Sequence, residues 1–202
     1  MRFRPTIVIP AAGLGRRFAG PLHKLQQPFI GSTVLGSTVR HAIETQLSVV
    51  VVTTAALADL VSRQLATRDI VVLDDVEAAN GMGHSISAGV AERSGASGWL
   101  VLPGDMPLVR PGSILAVASA LEQYPVAYAQ HRGRRGHPVG FGAELYSELI
   151  LLRGDDGARR VMARYPAHGV ELDDPCVLLD IDTESDLEAL RRAGGPPQPA
   201  DP

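Results

Sequence analysis

Thr6-Ile7-Val8-Ile9-Pro10-Ala11-Ala12-Gly13-Leu14-Gly15-Arg16-Arg17-Phe18, with Lys24 six residues on, is the stretch that decides the fold. Residues 6–10 are a short apolar run rich in β-branched side chains, the composition of a buried strand. The run empties into a loop of small residues that carries two arginines, and a lysine follows. Glycine and alanine let backbone N–H groups approach an anion closely, and the cations neutralise it. A helical pattern comes next, so the anion falls at the C-terminal edge of a sheet, where open α/β folds bind ligands.

Outward from this stretch, strand-like and helix-like segments alternate. Strands are expected at Ser48–Thr53, Ile70–Leu73, Trp99–Leu102, Val126–Gln130 and Val177–Ile181. Helices are expected at 33–46, 55–67, 83–93, 112–123, 143–151 and 156–164. A closing helix over Thr183–Arg192 has Thr183 as N-cap and Asp186 at its third position. Continuous apolar strands separated by helices predict a mostly parallel sheet covered on both faces, with right-handed crossovers. Residues 132–136 read as a basic loop. One domain is expected over residues 1–193. The tail 194–202, rich in proline and glycine, is expected to be disordered.

Composition narrows the function. The 202 residues suffice for one sizeable core. With 19 Lys+Arg against 22 Asp+Glu, the net charge of -3 argues against general nucleic-acid binding. It leaves room for a small anionic substrate held by local cations. Cys176 is the single cysteine, which rules out an internal disulfide and a cysteine-rich zinc site and suits a reducing compartment. No apolar run approaches the ~20 residues of a membrane span, and the first residues lack the apolar stretch of a signal peptide. The expected location is the cytoplasm, with no membrane partner.

Four further segments carry chemistry. Pro103-Gly104-Asp105-Met106-Pro107 places an acidic residue at a strand end, where a Mg²⁺-bound triphosphate would lie. Asp180-Ile181-Asp182-Thr183 alternates, so both aspartates point to one side, and a second carboxylate is what a Mg²⁺ site needs. Gly81-Met82-Gly83-His84-Ser85 opens a helix whose free N–H groups and serine hydroxyl suit a base or a phosphate. Arg132-Gly133-Arg134-Arg135-Gly136-His137 is a cationic loop suited to an acceptor's phosphate. Each also fits a plain structural role: turn aspartate, helix cap or solvated charge run. The N-terminal loop fails the dinucleotide fingerprint, because Phe18 stands at the third glycine position and no acidic residue follows at the required distance.

In combination, Ala11-Ala12-Gly13, Arg17, Lys24, Gly104-Asp105-Met106-Pro107, Gly136-His137-Pro138 and Asp180-Ile181-Asp182-Thr183 resemble the MobA-like nucleotidyltransferases. Within that family the chain is most similar to molybdenum cofactor cytidylyltransferases, and Gly81 to Gly89 is similar to the family's G-x-x-x-S-x-x-x-G segment. The resemblance implies a single Rossmann-like three-layer α/β domain. It also implies Mg²⁺-dependent nucleotidyl transfer from an NTP to a phosphorylated acceptor, with pyrophosphate leaving. On this resemblance Ala11, Ala12, Gly13, Leu14, Gly15, Gly81 and Ser85 bind the nucleotide. Arg17, Lys24 and Asp105 are catalytic, the two cations stabilising charge on the triphosphate. Asp105 and Asp182 hold Mg²⁺, with Asp180 as the alternative to Asp182. Arg135 and His137 bind the acceptor.

The chain departs from the family pattern at Gly15, where serine is usual, and at Phe18-Ala19-Gly20, where Met-Gly is usual. Lys24 lies two residues further along than the usual spacing. Ala-Ala-Gly is closer to cytidylyl than to guanylyl transferases, which favours CTP. Molybdopterin or molybdenum cofactor is the favoured acceptor, with a molybdoenzyme as the implied recipient. A sugar phosphate, methylerythritol phosphate or phospholactate is the alternative acceptor. A non-enzymatic cofactor chaperone is the alternative class.

Overall fold

The computed structural model describes residues 3–13, 15, 18, 22–155 and 158–194. Leu14, Arg16, Arg17 and residues 195–202 of the tail lie outside the described residues. In chain order the elements are β1 (Thr6–Pro10), β2 (Pro28–Phe29), β3 (Ser32–Thr33), α1 (Val34–Glu44), β4 (Ser48–Thr54), α2 (Ala55–Val61), β5 (Ile70–Leu73), α3 (Asp75–Ala78) and α4 (Met82–Glu92). There follow β6 (Gly98–Val101), α5 (Pro111–Ala120), β7 (Val126–His131), β8 (Arg134–Gly142), α6 (Tyr146–Leu149), α7 (Arg159–Met162), β9 (Ala167–Glu171) and α8 (Glu184–Gly194).

β1 sits inside a seven-stranded sheet of order β5-β4-β1-β6-β8-β7-β9. It is parallel to β4 on one side and β6 on the other, and β4 is parallel to β5. β8 runs antiparallel between β6 and β7, and β9 is parallel to β7. Alternation along β1 divides the core. Ile7 and Ile9 join a cluster with Leu35 and Val39 of α1 and with Ile114 of α5. Val8 joins the opposite cluster with Ile86 and Val90 of α4, Trp99 and Phe141. A strand apolar on both sides can be buried only between two helical layers, which is why the run 6–10 shows no polar alternation. Trp99 is fully buried, and its indole N–H donates to the Arg93 carbonyl. The α/β, mostly parallel, three-layer fold is therefore as the sequence predicts.

Several segments differ from expectation. The basic loop 132–136 is instead a tight hairpin: Arg132 and Gly133 turn with positive φ, and β8 begins at Arg134. In the seven-stranded sheet two strands absent from the sequence pattern appear, this one and β9, and β2 with β3 forms a separate two-stranded sheet that the pattern also lacks. β9 is a half-buried edge strand whose Ala-His-Gly-Val-Glu carries little apolar signal. Val177–Ile181 is no strand. Pro175 lacks the ladder N–H, and the Asp174 carboxylate accepts from the Cys176 amide, so residues Pro175–Leu178 wind into a 3-10 turn. Among the described residues no helix is long and apolar enough to cross a membrane.

α4 lies close on β1 and β4 because Gly89 faces them. A Cβ there would come within 2.5 Å of the Val8 Cγ1 and 3.0 Å of the Val52 Cγ2. Both valines are fully buried and β-branched, so neither yields cheaply. Gly89→Ala should destabilise the protein by about 1–3 kcal/mol in urea denaturation, despite alanine's better helix propensity. Gly112, exposed in α5 with open space around it, is the control. Gly112→Ala should raise stability by up to ~1 kcal/mol.

Candidate functional site

The C-terminal ends of β1 and β6 lie side by side. Past β1, the Ala11 amide donates to the Val52 carbonyl at 2.7 Å, and Ala11 and Ala12 are buried. Past β6, the Gly104 amide donates to the Pro10 carbonyl, and the Thr38 hydroxyl donates to the Gly104 carbonyl at 3.0 Å. A Cβ on Gly104 would crowd Leu35 and Ala11, so glycine here lets the two loops touch. Asp105 is thereby fixed beside the small-residue loop.

The second acidic segment is tied to the first through the main chain. The Ile181 amide donates to the Asp105 carbonyl at 3.1 Å. Beneath it, the Gly136 Cα meets the Val177 carbonyl so closely that no side chain fits between them. Asp186 on the first turn of α8 accepts from the amides of Asp182 and Thr183 and from the Thr183 hydroxyl, and Thr183 caps the Asp186 amide in return. The expected cap of the closing helix is thus present, and it fixes the backbone on which Asp182 stands.

These contacts bring one carboxylate oxygen each of Asp105, Asp180 and Asp182 within 4.8 Å of one another. The sequence left open whether Asp180 or Asp182 joins Asp105, and the structure gathers both. Lys24 reaches the group from the 3-10 turn Lys24–Gln26. Its Nζ lies 2.6 Å from Asp105 Oδ2 and 3.1 Å from Asp182 Oδ1, with the three side chains only 15%, 16% and 25% exposed. Burial opposes the charged ammonium, but Asp105 and Asp182 outweigh it and hold the Lys24 pKa above the ordinary lysine value. Asp180 is pushed up by burial and by the negative charges of Asp105 and Asp182, with Lys24 opposing.

The oxygen-only donor set suits a hard divalent cation, and Asp105 Oδ1 is buried without a hydrogen-bond partner among the described residues. The residues present therefore fit such an ion. Lys24 does not lie displaced from the site by its longer spacing.

His23, which carries no sequence signal, joins the loop to the lysine turn. Its Nδ1 accepts from the Leu25 amide at 3.1 Å, so its Nε2–H donates to the Gly13 carbonyl at 2.8 Å. Gly15 has φ +59, and a Cβ on it would fall 2.9 Å from that imidazole. Burial holds the His23 pKa below the usual histidine value, the Gly13 hydrogen bond opposing and the Lys24 charge adding to it.

The remaining candidates are less alike than expected. His137 lies in β8, not on a surface loop. Its Nδ1 is buried and has no partner among the described residues, and burial lowers its pKa against the pull of Asp105 and of a hydrogen bond to the Val101 backbone. Arg135 is exposed and sits over the Tyr128 ring, 4.8 Å from its centroid. Gly81 is the N-cap of α4 with φ +84, and Ser85 is buried one turn in. The amides of that turn are not all free: Gly83 N–H donates to the Gly154 carbonyl and His84 N–H to the Gly81 carbonyl.

A mostly parallel sheet ending in a small-residue loop and clustered carboxylates is the arrangement of a nucleotide-handling α/β protein. The chain belongs to the MobA-like NTP transferase domain family, whose model matches residues 7–170. Asp180 and Asp182 lie beyond that match. In structure it is similar to Rv0371c of Mycobacterium tuberculosis H37Rv, with a TM-score of 0.79 and 27% identity over 94% of this chain and 98% of that one. Rv0371c in complex with manganese is similar too, with a TM-score of 0.77 and 26% identity.

In sequence it is 34% identical to the purine catabolism protein PucB of Bacillus subtilis over 122 residues, 58% of this chain and 59% of PucB. It is 28% identical to the bifunctional protein GlmU of Geobacter metallireducens over 151 residues, 74% of this chain and 30% of GlmU. The matches thus span less than two thirds of either curated relative.

A histidine that must stay neutral makes the loop sensitive to pH. His23→Ala should cost about 1–2 kcal/mol of stability at pH 8, the worth of its two hydrogen bonds. Because the folded pKa lies below the ordinary 6.5, that contribution is present above pH 6.5 and lost as pH falls through the folded value. The gap between wild type and His23→Ala in urea midpoints should therefore narrow from pH 8 to pH 5.

Proposed function

We propose that this protein is a cytoplasmic nucleotidyltransferase that moves a cytidylyl group from CTP, with Mg²⁺, to the terminal phosphate of molybdopterin or molybdenum cofactor. The observation that carries the proposal is the Asp105–Asp180–Asp182 group gripped by Lys24 at the end of β1 and β6. Family membership and the manganese complex of a structural relative support it. Ala12, where guanylyl transferases of this type carry glycine, supports CTP.

In the transfer, an acceptor phosphate oxygen bonds to the α-phosphorus of CTP, the α–β P–O bond breaks, and pyrophosphate leaves with its electron pair. No protein nucleophile is required, so the work is positioning and charge neutralisation. Ala11, Ala12, Gly13 and Gly15 would line the nucleotide with main-chain groups, and Gly81 and Ser85 would close its far side. Leu14 and Arg17 keep their proposed roles in that loop. Asp105 and Asp182 would hold the divalent cation, with Asp180 beside them; when bound, it supplies positive charge to the triphosphate. Lys24 would add its charge to the phosphates. His137 and Arg135, both on β8, would meet the acceptor, with Arg135 exposed to its phosphate and His137 within the electrostatic reach of Asp105.

Asp105→Asn should lower Mg²⁺-dependent pyrophosphate release by about 100-fold or more without changing the circular dichroism spectrum. Retained activity would overturn the proposal. With Mg²⁺, CTP at a hundred times its dissociation constant should add about 2.7 kcal/mol of apparent stability, more than equal GTP, ATP or UTP. A GTP preference would overturn the base, and turnover with a sugar phosphate, methylerythritol phosphate or phospholactate in place of molybdopterin would overturn the acceptor. Tight binding to a molybdoenzyme without turnover would establish a chaperone instead.

A further inference from the structure

Lys24 is the sole lysine of the chain; the other eighteen of its 19 basic residues are arginine. The single ammonium is spent on bridging two of the three carboxylates that would receive a divalent cation. We propose that Lys24 is a displaceable counter-ion, holding the cation's place in the nucleotide-free protein, so that metal alone binds weakly and gains its affinity when a triphosphate draws the ammonium off. This presupposes the metal site proposed above and adds an order of events to it.

The competition follows from the contacts. Asp105 Oδ2 and Asp182 Oδ1 are each within hydrogen-bond distance of Nζ, and an incoming dication needs oxygens of the same two side chains. Two cations cannot share these oxygens at such range without strong repulsion. Asp105 Oδ1, buried and without a hydrogen-bond partner among the described residues, is an oxygen the ammonium leaves to a metal, and Asp180 stands beside it. Lysine is suited to exchange in a way arginine is not, since its charge is compact, strongly hydrated and carried on a flexible four-carbon stem. The main chain beneath stays put, because the His23 side chain accepts from the Leu25 amide while the Gln26 side chain accepts from the His23 amide, a reciprocal cap on the start of the Lys24–Gln26 turn. Nζ can then leave the carboxylates by side-chain rotation alone. Once it leaves, the ammonium needs another anion, and a triphosphate in the Ala11–Gly15 loop supplies one. Metal and triphosphate thereby favour each other, and the coupling is reciprocal.

The test uses Mn²⁺ alone, titrated by electron paramagnetic resonance against wild type, Lys24→Gln, Lys24→Met and Asp105→Asn, without nucleotide. Both lysine variants should bind Mn²⁺ about tenfold tighter or better than wild type, because a competing charge is gone. Asp105→Asn should lose the site. In wild-type protein, where folding is not in question, Mn²⁺ should speed acylation of the sole ε-amine by an amine-reactive ester, read by mass spectrometry. Lysine variants that bind Mn²⁺ no tighter than wild type, with acylation unmoved by Mn²⁺, would overturn the counter-ion role while an Asp105-dependent site stands. Mn²⁺ binding indifferent to Asp105 would overturn the metal site and this inference with it.

Discussion

Three carboxylates within 4.8 Å of one another are the constraint around which this end of the molecule is arranged. Each pair at that separation repels by about 3–4 kcal/mol at the effective dielectric of a protein surface. Such a group persists only where the backbone leaves it nowhere else to go and a cation is at hand. The Ile181–Asp105 main-chain bond, the Asp186 bonds to residues 182 and 183, and the close seat of Val177 on Gly136 supply the first condition. Lys24 supplies the second. Burial raises the pKa of Asp180 first, and the repulsion from Asp105 and Asp182 that the ammonium does not offset adds to it.

The scaffold behind this group is an ordinary parallel sheet with one reversed strand. β8, antiparallel between β6 and β7, begins at the edge where the parallel strands end. Its first residues therefore arrive beside Asp105 from the opposite direction, which is how Gly136 comes to underlie Val177 and His137 to lie near Asp105. A further parallel strand in that position would present its C-terminal end there and would need a crossover helix to return.

Much of this was legible in the residues. β1 was plain because an apolar run of five residues opening onto a small-residue loop has few alternatives, and β4, β5 and β6 on the same side of the sheet share its apolar run. Asp105 and the Thr183–Asp186 cap were legible because a strand end and a helix start mark themselves locally, whereas Asp182 was placed beside a strand that is instead a 3-10 turn. β9 was not, because an edge strand needs little apolar content. β8 was not, because Arg134 and Arg135 look like loop residues until Tyr128 is seen beneath one of them. Val177–Ile181 misled because Val177 and Ile181 are buried without a strand partner, the segment being held by Asp174 in a turn. The role of His23 depends on bonds to residues ten before and two after it, a pairing that no periodicity encodes.

The reversed strand also sets when the negative charge is gathered. β8 follows both β6 and β7 in the chain yet lies between them, so the middle of the sheet closes only after residue 142 has been made. Residues 177–182 then have a surface to settle on. On a ribosome, where folding proceeds from the N-terminal side, Lys24 emerges first, Asp105 next, and Asp180 and Asp182 last. The growing chain therefore completes this cluster of like charge only after the residue that carries the neutralising ammonium has been made.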